Sequence, residues 1–569
     1  MRIALFLLSV AVAGLSAACN PSSASPAAVQ SRSSAAPAPP PAGIATAIAA
    51  LAANEKADAV RVLDARMRRQ LRAMYEARAW APLWTTGDGE PMPAVDAVLA
   101  RLRRASDEGL DPWAYRAAEL SREARALADT RPSDARAAGF DVAVTAVTAA
   151  YLHDLHVGRV DPRAIGFHMS APPDEHDFPA LVGRAAAEGR LAAAAEDLTP
   201  TLGVYRALRT ALARYRALAD DDSIAAPPPA RASVRPGEAY AGVAALHRLL
   251  VAVGDLPADT PSPGDGALYQ GAVVEGVARF QARHGLEPDG VLGRGTQQAL
   301  GVPLRQRVRQ IELALERLRW LPHLKPGRLL AVNIPMFQVW GLDSTTPGTV
   351  PAFESRVIVG RALDTETPVF VDEMQEVIFR PYWNVPPSIL RNEILPAIAR
   401  NSGYLAREDM EIVDGQGDDA RPVRQTPASL AELAQGRLRV RQRPGPDNAL
   451  GLVKFVFPND DNIYMHGTPA MQLFARARRD FSHGCIRVEG ADALAAWVLK
   501  TDPTWSTERI TAAMQGASQL RVPLTEPIQV VLFYITAAVL PQDGAVHFAA
   551  DIYRHDARLD QALARLAAR

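Results

Sequence analysis

Apolar residues recur at three- and four-residue steps through Ala59–Tyr75, the spacing of one face of an α-helix. The same Ala/Leu/Arg-rich pattern predicts a helical domain over 56–219. An acidic and proline-rich run from Asp220 to Pro229, carried on to Pro236-Gly237, breaks it and marks a linker over 220–237. A compact helical unit is expected over 238–301, then one more amphipathic helix, Val308–Leu318. From Leu329 the character changes: Leu329–Trp340, Ser355–Gly360, Glu376–Phe379 and Leu452–Phe457 are β-like runs. A polar, partly helical insert over 386–443 interrupts this last region, 302–569. No repeat of fixed solenoid period is present. The pattern predicts a multidomain α+β chain: a helical domain, a small three-helix domain, and a β-rich domain carrying a lid-like insert.

The first residues do not fit that plan. Arg2, the apolar run Ile3–Leu15 and the small residues Ser16–Ala18 form an export signal, too short to span a bilayer comfortably, over 1–18. A Pro/Ser/Ala-rich tether follows, expected over 19–55. Cys19 resembles the acylated cysteine of a bacterial lipoprotein. Ser16, however, stands where that signal prefers Leu, so membrane attachment through Cys19 and a free mature chain both stay open. Composition narrows the partners. The formal net charge of the 569 residues is -1, with 48% hydrophobic and 22% charged residues, so nucleic acid is not an expected partner.

Cys485 is the second of only two cysteines, which excludes a disulfide scaffold. It stands in Phe481-Ser482-His483-Gly484-Cys485-Ile486-Arg487, after Tyr464-Met465-His466-Gly467. A thiol is mostly protonated at neutral pH, and a nearby imidazole or a cluster of backbone N–H groups converts it to a nucleophile. Gly484 lets another backbone approach and can turn successive N–H groups toward an oxyanion. A lone cysteine is usually a small hydrophobe and a lone histidine a satisfied structural group. Here both types gather around one glycine in an exported chain, which favours nucleophilic catalysis. A zinc site built from His466, His483 and Cys485 lacks an evident closing ligand, so no metal or other cofactor is expected.

Two resemblances sharpen this. Phe280-Gln281, His284-Gly285-Leu286, Asp289-Gly290, Gly293 and Thr296 resemble the peptidoglycan-binding domain found appended to wall enzymes. The residues themselves specify only a helix ending near His284 with Gly285 as its left-handed cap, a tight turn at Asp289-Gly290, and a second helix capped by Thr296. His466-Gly467 with Ser482–Arg487 resembles the signature of L,D-transpeptidases, whose catalytic domain is a β-sandwich-like fold. Arg380–Pro386, Pro444–Pro458, Trp80–Trp84, Gly109–Pro112 and Leu155–Asp161 resemble the large Gram-negative branch with its helical scaffold domain.

The resemblance implies Cys485 as nucleophile and His466 as its general base, oriented through the backbone of Gly467. It implies backbone donors from His483, Gly484 and Cys485 to an oxyanion hole, and Arg487 supporting the loop or a substrate carboxylate. Tyr464 and Trp383 are the expected substrate-pocket walls. The implied partners are peptidoglycan stem peptides, as donor and acceptor, in the periplasm. The implied reaction joins two diaminopimelate residues through a Cys485 acyl-enzyme. Water as acceptor would make a carboxypeptidase, and a dead catalytic fold would leave a wall-binding protein.

Overall fold

The computed structural model describes residues 43–567, apart from 55, 168, 170–174, 265, 266, 322, 323, 347, 348, 363, 364, 418 and 541. The export signal, Cys19 and most of the tether lie outside the described residues. The expected tether boundary at 55 is too late. Ile44–Ala53 is a helix whose Ile44, Ile48 and Ala52 are buried in the scaffold core. Likewise the helix read over Ala59–Tyr75 begins only at Ala65, because Asp64 caps it by accepting the Met67 N–H at 2.7 Å.

The scaffold is built around Asp134–Val157, a helix buried on nearly every side and apolar to match. One charge sits inside it. Asp141, fully buried, accepts from the N–H groups of Leu83, Trp84 and Thr85 at 2.7 to 3.1 Å and from the Tyr75 hydroxyl at 2.7 Å. That bonding explains the Trp80–Trp84 motif as a loop pinned by a buried carboxylate.

The other two scaffold motifs meet the helix Leu304–Arg319, which leads into the β-domain. Gly109 (φ +71°) would place a Cβ 3.2 Å from Leu315 Cδ1. Gly158 (φ +85°) would place one 2.8 Å from Glu316 Oε1, so only glycine allows this approach. Glu316 accepts the Val160 N–H at 3.0 Å and pairs with Arg319 at 3.0 Å, both carboxylate and guanidinium being buried.

Three helices, Val243–Val253, Ala272–Arg283 and Arg294–Leu300, form the small domain around Leu246, Leu250, Tyr269 and Val277. Gly285 takes φ +63°, as the left-handed cap requires. Gln281 is its polar hub: its amide donates to Asp289 Oδ1, Val291 O and Thr296 Oγ1, and accepts the Gly290 N–H. Thr296 is not the helix cap expected of it. It is the third residue of its helix, and its hydroxyl donates to Val291 O at 3.1 Å. The predicted linker is also partly structured. Gln297 holds Ala230 and Ala232, and Val234 is buried in this domain's core.

Nine strands make the sheet of the β-rich domain: β1 Leu329–Asn333, β2 Gln338–Leu342, β3 Phe353–Gly360, β4 Phe370–Phe379, β9 Val453–Val456, β10 Met465–His466, β11 Asp480–Ser482, β12 Ile486–Val488 and β13 Leu520–Phe533. The run read as one β-segment, Leu329–Trp340, is a hairpin. Pro335 and the left-handed Phe337 (φ +56°) turn the chain between β1 and β2.

The order is β11-β3-β12-β10-β9-β4-β13-β1-β2, and β2 pairs back onto β3, so eight strands close into a ring rather than the sandwich-like arrangement expected. Closure removes the free edges an open sheet exposes. Val332, Val339, Val377, Phe455, Met465 and Ile486 fill the interior, each wholly buried. β13, the longest strand, escaped the sequence reading because Pro523 and Pro527 interrupt it; the register shifts between Pro523 and Ile528.

The insert is a folded subdomain. β5 Trp383–Asn384, β6 Met410–Asp414, β7 Arg421–Val423 and β8 Arg439–Gln442 form a sheet ordered β5-β8-β6-β7. Short helical turns cover it, with a core that includes Ile394, Leu405, Ile412 and Leu433. The pairing of β5 with β8 closes its base onto the ring.

Candidate active site

β10 runs parallel to β12 and antiparallel to β9, in registers that set His466 beside Arg487 and Lys454. Met465, Ile486 and Phe455 alternate with these residues and point into the ring. His466, Arg487 and Lys454 therefore share its outer face, next to the loop carrying Cys485. The loop is tied from behind. Ser482 Oγ donates to Cys485 O at 2.6 Å and accepts the Gly484 N–H at 3.2 Å, while Thr367 Oγ1 donates to Gly484 O at 2.7 Å. Gly484 takes φ +113°, a conformation that disfavours any side chain.

These bonds correct one expectation. The Gly484 N–H is held by Ser482, leaving the N–H groups of His483 and Cys485, unpartnered among the described residues, as the available oxyanion donors. Sequence reading missed Thr367 and Tyr553. The Tyr553 hydroxyl accepts the Thr367 N–H at 3.3 Å and donates to Gly360 O at 2.5 Å, bracing the Cys485 loop from a segment 68 residues downstream of Cys485.

His466 is buried, and its Nδ1 lies 2.5 Å from Gly467 O. A carbonyl only accepts, so Nδ1 carries the hydrogen and Nε2 keeps the lone pair a base needs. Burial, then the Arg487 charge, lowers its pKa to about 3. The Gly467 carbonyl thus fixes the His466 ring, and Gly451 makes room for it. A Cβ on Gly451 (φ +65°) would stand 2.6 Å from Thr468 N and 2.7 Å from Gly467 C. Gly451 lies in the Pro444–Pro458 segment, whose resemblance gave it no role of its own.

Cys485 is partly exposed, its Sγ 3.9 Å from Asn462 O. Burial of the sulfur pushes the thiol above its ordinary range, opposed by the N–H and hydroxyl of Tyr464 and by the Lys454 and Arg487 charges. Tyr464 lies beside His466: Lys454 Nζ lies 3.8 Å over its ring, and the ring centroid is 5.6 Å from that of His466.

Arg487 is half-buried with its Nε unpartnered among the described residues, a donor available to an anionic group. Trp383 is half-buried and packs against the insert's own core. The His483 side chain turns outward, its Nε2 2.8 Å from Glu393 Oε1 of the insert. Glu393 belongs to a π-helical turn, Leu390–Ile394, a local irregularity frequent at functional sites. Among the described residues no three His, Cys, Asp or Glu side chains converge as a metal ligand set.

A thiol held above its ordinary range has a measurable signature. Alkylation of Cys485 by iodoacetamide should quicken roughly tenfold per pH unit between pH 6 and 8, because only the thiolate reacts and its fraction rises with pH below the raised pKa. A rate flat across that window would mean a preformed thiolate–imidazolium pair instead.

The comparisons with known proteins agree with this architecture. Residues 328–505 match the family model described as the L,D-transpeptidase catalytic domain, residues 240–300 the "Putative peptidoglycan binding domain", and residues 69–212 the scaffold domain. The chain therefore carries an L,D-transpeptidase catalytic domain attached to scaffold and peptidoglycan-binding domains. It is also 32% identical over 253 residues to a Haemophilus influenzae protein named "Putative L,D-transpeptidase", a match covering 44% of this chain and 49% of that one. The chain thus spans about half the length of this curated relative.

Proposed function

We propose that the protein cross-links peptidoglycan by L,D-transpeptidation through a Cys485 acyl-enzyme. The observation that carries this is the set of bonds orienting the two residues: His466 held through Nδ1 by Gly467 O, and Cys485 on a loop fixed by Ser482 and Thr367. Cys485 Sγ attacks the carbonyl of the third residue of a tetrapeptide stem as its proton passes to His466 Nε2. The N–H groups of His483 and Cys485 meet the oxyanion. The bond to the terminal D-alanine breaks, and His466 returns the proton to that leaving amine. The side-chain amine of a second stem's diaminopimelate then attacks the thioester, joining two third residues and releasing the thiol.

Because the neutral imidazole is a weak base and the thiol a weak acid, proton transfer and attack proceed together rather than from a resting thiolate. The insert bears on which acceptor wins. Glu393 reaches the residue two before the nucleophile, so we place the subdomain over the acyl-enzyme as a lid that excludes water. The reading also takes the protein to be exported to the periplasm, where its substrate lies.

Mass spectrometry of the purified protein incubated with a disaccharide-tetrapeptide tests the proposal, the expected product being a cross-linked dimer. Only hydrolysed tripeptide would make the protein a carboxypeptidase, and no turnover would leave a wall-binding protein. Replacing 386–443 by a short Gly/Ser loop should raise the ratio of tripeptide to dimer, and an unchanged ratio in a folded variant would reduce the insert to a decoration.

A further inference from the structure

The peptidoglycan-binding domain does not hang free. Arg283, buried, pairs with Asp255 at 2.6 Å and donates to Val546 O at 2.7 Å in the hairpin Ala537–Val539/Val546–Phe548 of the catalytic domain. His284 stacks between Phe280, at 3.7 Å between centroids, and Phe548, at 5.5 Å, and the Arg307 guanidinium lies 4.8 Å over the Phe548 ring. Residues of the binding motif thus fasten the domain to the end of the chain, and a cleft of about 490 Å³ lies between the two. That volume lies within the usual range of small-ligand sites. Leu286, Gly295 and Gln298 line one wall and Phe548–Asp551 another, with Gln306 and Arg309 between them.

We propose that this joint cleft binds the uncharged saccharide backbone of the wall polymer, an N-acetylated hexosamine chain; the choice of the wall as ligand source rests on the function proposed above. The chemistry of the lining selects the ligand. Its ionic groups are already engaged within the protein. Arg309 pairs with Asp560 at 2.7 Å, and Asp556 with Arg317 at 2.5 Å. Asp551 accepts from the Tyr534 hydroxyl at 2.7 Å, and Arg307 donates to Gln310 at 2.8 Å.

What the cleft still offers is neutral. The exposed carboxamides of Gln298 and Gln306 have no hydrogen-bond partner among the described residues, and Leu286 and Val302, both partly exposed, present apolar surface. A carboxamide supplies donors and an acceptor without charge, which suits hydroxyl and acetamido groups, while the apolar residues suit the C–H face of a sugar ring. A stem peptide brings carboxylates and an amine, and burying these without new ionic partners is unfavourable. Because packed aromatic rings and a buried ion pair hold both walls, the cleft exists before ligand arrives and little ordering cost attends binding.

The test titrates the full-length protein calorimetrically with tri-N-acetylchitotriose, which carries sugar and no peptide. The wild type should bind it. Gln298→Ala combined with Gln306→Ala should weaken binding at least about tenfold, the worth of two lost hydrogen bonds, with an unchanged circular-dichroism spectrum. Gly295→Trp, which fills the cleft from an exposed position, should abolish binding. No binding by the wild type, unchanged affinity in both variants, or displacement of the sugar by free tetrapeptide overturns the assignment. Acylation of Cys485 by a tetrapeptide is read in the same samples. Acylation without sugar binding sinks the cleft alone, whereas sugar binding without acylation sinks the transpeptidase reading and leaves the cleft standing.

Discussion

Cys485→Ala will form no acyl-enzyme and no cross-linked dimer, while its melting temperature stays near that of the wild type. The loss should be complete, because no second cysteine lies among the described residues and the attacking atom is itself removed. The fold should survive because the loop's ties run through the backbone and through other side chains: Ser482 to the Cys485 carbonyl, Thr367 to the Gly484 carbonyl. Intact-mass spectrometry after incubation with a tetrapeptide donor reads the adduct directly. A stem-sized mass gain on the alanine variant, or retained turnover, would sink the assignment of the nucleophile.

His466→Ala should slow acylation by roughly two to four orders of magnitude, the usual worth of a positioned base. The effect is large because the thiol is held protonated by its surroundings, so attack requires somewhere for the proton to go. His483→Ala should be milder. Its side chain faces the insert, so the substitution removes an exposed contact with Glu393 and leaves the backbone N–H in place. Single-turnover acylation rates for the two variants separate the roles, and equal, complete loss in both would show that they have been divided wrongly.

The candidate site was legible in the sequence because its residues are local. Cys485, Gly484, His466 and Gly467 lie in two short runs, and the φ of +113° at Gly484 is a demand only glycine meets without strain. Helical periodicity likewise marked the scaffold, the three helices of the binding domain and the helix into the ring, since each buries one stripe or, for Asp134–Val157, its whole surface.

Tertiary structure alone decided the rest. Ring closure by β2 on β3 is a pairing between segments whose strand character says nothing of partners. Thr367 and Tyr553 reach the nucleophile loop from 118 residues before and 68 residues after Cys485, and Gly451 is needed only because Gly467 packs against it. Trp383 packs against the core of the insert, a contact that sequence spacing does not announce. Sequence spacing determined which groups can do the chemistry. The folded chain determined which groups hold them, because a buried donor or acceptor must find its partner in space, at whatever distance along the chain.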